Sequence, residues 1–381
     1  MKALIVAGGS PATVFALAPL ASALRLSGHD LLVAAPRAMV DYANQVGLPA
    51  ISVTPFNMVD FMFTDKNGSK IALPTDPDAR IIFNGRGFGR LAAASIPALK
   101  AIVKNWKPDI LIGGALCYAA PIVAASERLP YVRHTWDLGE PPEMDIGAGS
   151  ELAGELCQLG GLTSIPDPDF WIDICPPELR GTNLAPGLRH NQRFVPFNLQ
   201  RALEPWMLTH SKTPRICITA GSRVSDADSI NELLNLVNPL SDLDIEIIVA
   251  APDAVKKEVE HFSNVKVGWL PLDVILPNCD VIVHHGGGQT TLNAIAAGIP
   301  QVIFPAIPKM IDPCLRLSST GAAVTLLPED QGPQSLVHSV SEILNTNSYR
   351  ENAESLSQSI EKLPSPEESV QRIESLVENW S

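Results

Sequence analysis

The chain has 381 residues, of which 46% are hydrophobic and 18% charged, and a formal net charge of -13. That length suits two ordinary domains with sizeable cores, and the acidic balance, with no basic run, excludes nucleic acid as a partner. No stretch is apolar enough for long enough to span a bilayer, and six scattered cysteines without metal-type spacing read as reduced thiols of a cytoplasmic protein.

The N-terminal stretch MKALIVAGGSPATVFALAPLASA has the outline of a signal peptide. Gly8, Gly9, Ser10 and Pro11 break its apolar run, however, and it reads as a retained first strand, turn and helix. A strand is predicted over 3–9, a helix over 13–27 that stops at Gly28, and a second strand over 30–36. Residues 55–90 read as irregular, with Phe56, Phe61, Phe63, Phe83 and Phe88 set among turn residues. They are expected to form either a peripheral helical cap or a wall for an apolar ligand. A strand over 109–114, a helix over 117–127 and a strand over 130–136 repeat the opening unit. Residues 138–192, rich in Pro, Gly and acids, read as a long loop, and loops of that length are usually functional.

A connector with three prolines occupies 193–214. The rhythm then restarts, with strands predicted at 215–222, 244–252, 265–270, 280–285, 301–306 and 322–328. A helical tail over 333–381 is interrupted by Pro364 and Pro366. Near-continuous apolar strands alternating with helices indicate parallel sheets covered on both faces. The expected divisions are 1–200, 201–362 and a terminal helix, 363–381, packing back on the first domain. The fold class is α/β: two Rossmann-like, doubly wound domains facing across a cleft, with ligands at the carboxyl ends of the strands.

The stretch VIVHHGGGQTTL, 281–292, carries the chemistry. Strand, then Gly286-Gly287-Gly288, then a fresh helix start is a junction whose free N–H groups and dipole favour an anion. Gln289, Thr290 and Thr291 add donors. Side chains alternate along a strand, so His284 and His285 point to opposite sides and only one of them serves the ligand. Trp269, at the end of the 265–270 strand and followed by Leu270-Pro271-Leu272, is placed to stack on a base. Thr219 and Ser222 end a neighbouring strand. A nicotinamide dehydrogenase is excluded, because the first turn lacks G-x-G-x-x-G and the second strand ends without an acid.

The stretch GWLPLDVILPNCDVIVHHGGGQTTLNAIAAGIPQVIFP, 268–305, resembles the donor-binding signature of the GT-B nucleotide-sugar glycosyltransferases that decorate bacterial natural products. The stretches GGSPATVFALAPLASA, RHTWD, DICPPELR, LEPWM and GSRV resemble the angucycline C-glycosyltransferases of the urdamycin type, over essentially the whole chain. The resemblance implies that Trp269 stacks on thymine or uracil, with Leu272 beside it, and that His285 contacts the diphosphate. Gly287, Gly288, Gln289 and Thr290 hold phosphate, Ser222 lies near phosphate or ribose, and Ser10 approaches the sugar. Phe56, Phe61, Phe83 and Trp136 are the expected acceptor contacts, in a cleft between 55–90 and 138–165.

Two departures matter. Relatives carry a histidine base in the loop after the first strand, where this chain has Thr13, whose hydroxyl has no useful basicity near neutral pH. Asp137 is the expected replacement, with Glu140, Glu143, Asp145 and His134 as rivals. Relatives also have Asp-Gln after QVIFP, where this chain has Lys309 and Met310. That loss suggests a sugar with fewer hydroxyls, because a site built for a hydrogen bond suffers when it is missing.

The expected activity is inverting transfer of a 2,6-dideoxyhexose of the olivose type from dTDP to an aromatic polyketide, forming a C-glycoside. An O-glycoside, a non-catalytic nucleotide-sugar-binding partner and a GT-B epimerase are the alternatives. The dTDP-sugar is a co-substrate; no other cofactor and no metal are expected, since the D-x-D triplets at 76–78, 167–169, 226–228 and 242–244 fall mostly in turns. A homodimer is compatible with the reading.

Overall fold

The computed structural model describes residues 1–380 except 66, 160, 222–226, 260, 261, 263 and 306, with 227–229 and 254 described by backbone alone. Contacts divide the chain into Met1–Arg193 with Leu363–Ser381, and Phe194–Lys362. The division falls at 193/194, ahead of the 200/201 expected from composition. Hydrogen bonds explain the difference. Asn198 Nδ2 donates to Asp273 and to Asn293, each at 3.1 Å, and Gln200 Nε2 donates to Asp273 at 2.8 Å, so this stretch is tied to the second unit.

In the first unit, strands β1 (Lys2–Val6), β2 (Asp30–Pro36), β3 (Ala50–Thr54), β4 (Ile110–Gly114), β5 (Tyr131–His134), β6 (Phe170–Asp173) and β7 (Arg189–Asn191) form one sheet. Its order is β3-β2-β1-β4-β5-β6-β7, and every pairing is parallel. Leu4, Ile5, Leu111, Ile112 and Val132 have no exposure, as expected of strands covered on both faces. The helix Pro366–Glu378 packs on the helix Pro11–Leu26 of this unit. It is fastened by His29 Nε2 to Glu374 at 2.8 Å and by Trp380 Nε1, which donates to the Arg128 carbonyl at 3.2 Å.

The second unit holds β8 (Arg215–Thr219), β9 (Glu246–Ala250), β10 (Val265–Gly268), β11 (Val281–His284), β12 (Gln301–Ile303) and β13 (Ala323–Thr325). They pair, all parallel, in the order β10-β9-β8-β11-β12-β13. Both sheets therefore run outward from their first strand in two directions. The switch points lie between β1 and β4, and between β8 and β11, and ligands of open parallel sheets bind at such points.

Two stretches read as irregular are not. Residues 55–90 contain the helix Met58–Phe63 and the first half of the 30-residue helix Pro77–Trp106, which starts with Asp76 accepting from the Ala79 N–H at 2.7 Å. Residues 138–192 contain the helices Glu143–Glu151 and Ala153–Gln158, then β6 and β7. The glycines misled. Gly85, in the long helix, and Gly147, in Glu143–Glu151, leave no room for a Cβ against the carbonyls of Met144 and Ile82. They mark two helices packed backbone to backbone, not a break in either. No helix among the described residues is long and apolar enough to cross a membrane.

Candidate functional site

At the switch point of the second unit, Thr219 ends β8 and its Oγ1 accepts the Gly221 N–H at 3.1 Å. Gly221 has φ +88°, a left-handed turn that glycine adopts without cost. Across the switch, His285 leaves β11 and its imidazole fills the space that a Gly221 side chain would need. A Cβ on Gly221 would stand 2.7 Å from Cε1 of His285, and one on Gly287 would stand 2.6 Å from its Nε2. Two glycine turns thus leave room for the Cε1–Nε2 edge of one imidazole.

The helix Gly288–Ala296 begins immediately beyond. Among the described residues no side chain caps its start, and its first turn holds no acid. Gly288, Gln289 and Thr290 form that turn, whose N–H groups have no acceptor within the helix. An anion against them gains the helix dipole, about 0.3–1 kcal/mol when exposed and up to ~2 kcal/mol when partly buried. His284 turns the other way, as alternation requires. It is wholly buried, and its ring stands at 89° to that of His285, with centroids 6.5 Å apart.

Trp269 follows β10 directly and is half-buried. Because β10 lies three strands from β11, their ends are separated by about 14 Å. Trp269 and the glycine turn therefore stand apart along one sheet edge and are not one cluster. Leu272 opens the helix Leu272–Ile275 and packs on the core that includes Ile275 and Leu276. Ser222 lies outside the described residues.

The first unit's switch point is built differently. Gly8 and Gly9 follow β1, and both are roofed by aromatic rings. A Cβ on Gly8 would stand 2.8 Å from the Trp136 indole, and one on Gly9 would stand 2.8 Å from the Phe61 ring. Phe88 links the two, with ring centroids 5.6 Å from Phe61 and 6.1 Å from Trp136. The structure brings Phe61 and Trp136 together, but both are buried: Phe61 is 1% exposed and Trp136 6%. Phe83, expected beside them, is buried within the long helix and pairs with Phe63 at 6.0 Å. Phe56 is exposed.

Ser10 stands before the helix Pro11–Leu26 without a side-chain capping bond. Its carbonyl oxygen accepts from the Thr13 hydroxyl at 2.6 Å. Asp137 is partly exposed just beyond Trp136, and its Oδ1 accepts the Gly139 N–H at 3.3 Å.

Two rivals of Asp137 are otherwise engaged. Asp145 receives both terminal nitrogens of Arg133, at 2.7 and 3.0 Å, and the Tyr118 hydroxyl at 2.7 Å. His134 is wholly buried with Nδ1 on the Thr135 carbonyl at 2.5 Å, and burial pushes its pKa down to about 4. A small cavity of about 30 Å³ lies beneath this loop, between Arg133, Trp136 and Asp173. It has room for one or two waters and none for a polycyclic acceptor.

Comparison with known proteins decides the family. Residues 22–221 match the family model of the erythromycin biosynthesis protein CIII-like N-terminal domain, and residues 234–376 match that of the C-terminal domain. The chain belongs to this family.

The L-demethylnoviosyl transferase of Streptomyces niveus is 30% identical over 338 residues, covering 87% of this chain and 86% of the relative. The aclacinomycin-T 2-deoxy-L-fucose transferase of Streptomyces galilaeus is 26% identical over 427 residues, covering 99% and 96%. Among solved structures, the Streptomyces sp. SF2575 glycosyltransferase SsfS6, complexed with thymidine diphosphate, superposes with a TM-score of 0.87. It is 33% identical and covers 98% of this chain and 99% of its own. The CIII-like chain is accordingly a glycosyltransferase of antibiotic biosynthesis with the GT-B fold.

Several residues of this glycosyltransferase have tasks that the sequence does not show. Asp173 is 2% exposed and pairs with Arg180 at 3.0 Å and Arg189 at 3.1 Å, pinning the 175–192 stretch to β6. Asn198 reaches Asn293, whose Nδ2 donates to the Gln289 carbonyl at 2.7 Å. Gln301 stands under the glycine turn. Asp173, Asn293 and Gln301 fall inside stretches that carry the family resemblance, but only long-range contacts assign each a task.

Proposed function

We propose that this glycosyltransferase moves a 2,6-dideoxyhexose of the olivose type from dTDP to an aromatic polyketide phenol, with inversion, and forms a C-glycosidic bond. The observation that carries the donor half is the close approach of His285 to Gly221 and Gly287 at the start of an uncapped helix. That arrangement presents an imidazole and a set of backbone N–H groups to one anion. Trp269, about 14 Å along the same edge, suits the base of a nucleoside diphosphate, a span that a lone phosphate leaves unused. The thymidine diphosphate complex of SsfS6 and the deoxysugar in the name of the Streptomyces galilaeus relative support the same donor class. Lys309 and Met310, at the start of the helix Pro308–Ser319 where relatives carry Asp-Gln, suit a sugar with fewer hydroxyls.

In the proposed reaction Asp137 takes the phenolic proton. The electron-rich ring carbon ortho or para to the oxygen then attacks the anomeric carbon, whose bond to the diphosphate breaks. The carbon that formed the new bond gives up its own proton to solvent, and the ring regains aromaticity as a phenolate that takes back the proton held by Asp137. Helix dipole, N–H groups and His285 stabilise the charge on the departing diphosphate, so no metal takes part. The resemblance of RHTWD and its neighbours to the angucycline C-glycosyltransferases supports carbon as the nucleophile. The same phenolate offers its oxygen, and acid stability of the product separates the two linkages.

Thr13 favours one rival. With its hydroxyl committed to the Ser10 carbonyl, the position that serves relatives as base is inert, as in a silent partner subunit. Asp137→Asn tests both readings. Asparagine keeps an oxygen for the Gly139 N–H and removes the basicity of the carboxylate. The expected result is transfer reduced at least about a hundredfold, the scale of general-base catalysis, with dTDP affinity retained. Unchanged transfer would remove Asp137 from the mechanism, and absence of any transfer by the purified wild-type chain with phenolic acceptors would favour the silent partner.

A further inference from the structure

We propose that His284, buried beneath the glycine turn, is a positioning residue for the diphosphate site: its imidazole sets the Gly286 peptide and thereby aims the turn that follows. This rests on the reading of that turn as the dTDP site and adds a residue that does not touch the ligand.

Hydrogen bonding fixes the ring. The Gly286 N–H donates to His284 Nδ1 at 3.1 Å, so Nδ1 carries no proton. Nε2 therefore carries it and donates to Gln301 Oε1 at 2.8 Å. One neutral tautomer satisfies both contacts, and no other does. Desolvation, with the neighbouring His285 second, lowers the pKa of His284 to about 3, which keeps the ring neutral at working pH.

The chain of contacts continues. Gln301, 1% exposed on β12, donates from Nε2 to the Thr291 carbonyl at 3.3 Å, which also orients its amide. Thr291 returns to the turn by donating from its backbone N–H and its hydroxyl to the Gly287 carbonyl, at 2.9 and 3.2 Å. Gly286, with φ +82°, is pressed onto the floor: a Cβ there would stand 3.1 Å from Cys314 Sγ and 3.3 Å from the Ile303 side chain. The two ends of the turn are thus tied through one buried path, Gly286 to His284 to Gln301 to Thr291 to Gly287. His285 sits on the upper side of the same turn. A buried network with every member satisfied holds a single arrangement, which an anion site of fixed N–H directions requires.

Two substitutions separate the two bonds. The Oδ1 of His284→Asn can take the place of Nδ1 and accept the Gly286 N–H, but the side chain falls short of Gln301. His284→Gln reaches Gln301 and leaves the Gly286 N–H without its acceptor. We expect dTDP affinity, read by calorimetry, to fall about tenfold in His284→Gln, the worth of one hydrogen bond, and to stay within about threefold of wild type in His284→Asn. Thymidine, which lacks the diphosphate, should bind all three proteins alike, and the melting temperatures should not follow the dTDP ranking. Should a histidine variant fail to fold, Gln301→Met also removes the bond to the Thr291 carbonyl that His284→Asn leaves in place, and it should show the same loss for dTDP but not thymidine. Equal dTDP affinity in the folded variants and wild type, or equal losses for dTDP and thymidine, would overturn the proposal. Wild-type protein that does not bind dTDP would overturn the donor-site reading itself.

Discussion

His285 and Gly287 are in contact through an absence: the imidazole occupies the place of a Gly287 Cβ, 2.6 Å from its Nε2. Gly287 has φ -61° and ψ 127°, a conformation that alanine adopts freely. Gly287→Ala therefore displaces the imidazole without straining the backbone, and we expect kcat/KM to fall at least about tenfold, the loss of one well-placed donor being a lower bound, with little change in Tm. Gly221→Ala adds about 1–2 kcal/mol of left-handed strain to the same collision, so it should lower activity and Tm together. Normal activity in Gly287→Ala would show that the position of His285 is immaterial.

Thr13→Ala removes a hydroxyl whose bond is to the Ser10 carbonyl in the first helical turn. Stability should drop by about 1 kcal/mol, and transfer should remain within about twofold of wild type. A loss of transfer comparable with that of Asp137→Asn would return the base to this position.

Transfer should be indifferent to EDTA and to added magnesium. Among the described residues no group of three or more His, Cys, Asp or Glu side chains could hold a metal ion. The helix start and His285 supply the positive potential that a cation supplies elsewhere. Activity abolished by EDTA and restored by a divalent ion would contradict this.

Acid should weaken both units through histidines that are buried uncharged. The pKa values of His134 and His284 are lowered from an ordinary 6.5 to about 4 and about 3. Between those values and 6.5 the unfolded chain binds protons that the folded chain refuses, so stability falls as pH falls and is unaffected above 6.5. From pH 7 to pH 5 each histidine should cost about 2 kcal/mol. Urea unfolding of wild type, His134→Asn and His284→Asn at the two pH values tests this: each variant should lose its share of the slope, and identical slopes would refute the assignment.

The sequence by itself determined the parallel α/β architecture, because apolar strands of this length alternating with helices have few other ways to bury their faces. It also determined the glycine turn and the helix start after residue 285, since such features act locally, whatever lies around them. Periodicity failed where contact overrode it: Gly85 and Gly147 look like breakers, yet they are the places where two helices touch. Only the tertiary structure decided which strands became neighbours. By setting β8 beside β11 it brought Gly221 to His285, 64 residues apart in number, and placed Gln301 under His284. In the same way it committed Asp145 to Arg133 and left Asp137 partly exposed, with a bond to Gly139 alongside. Side-chain roles of this kind depend on partners supplied by distant segments, and no local pattern encodes them.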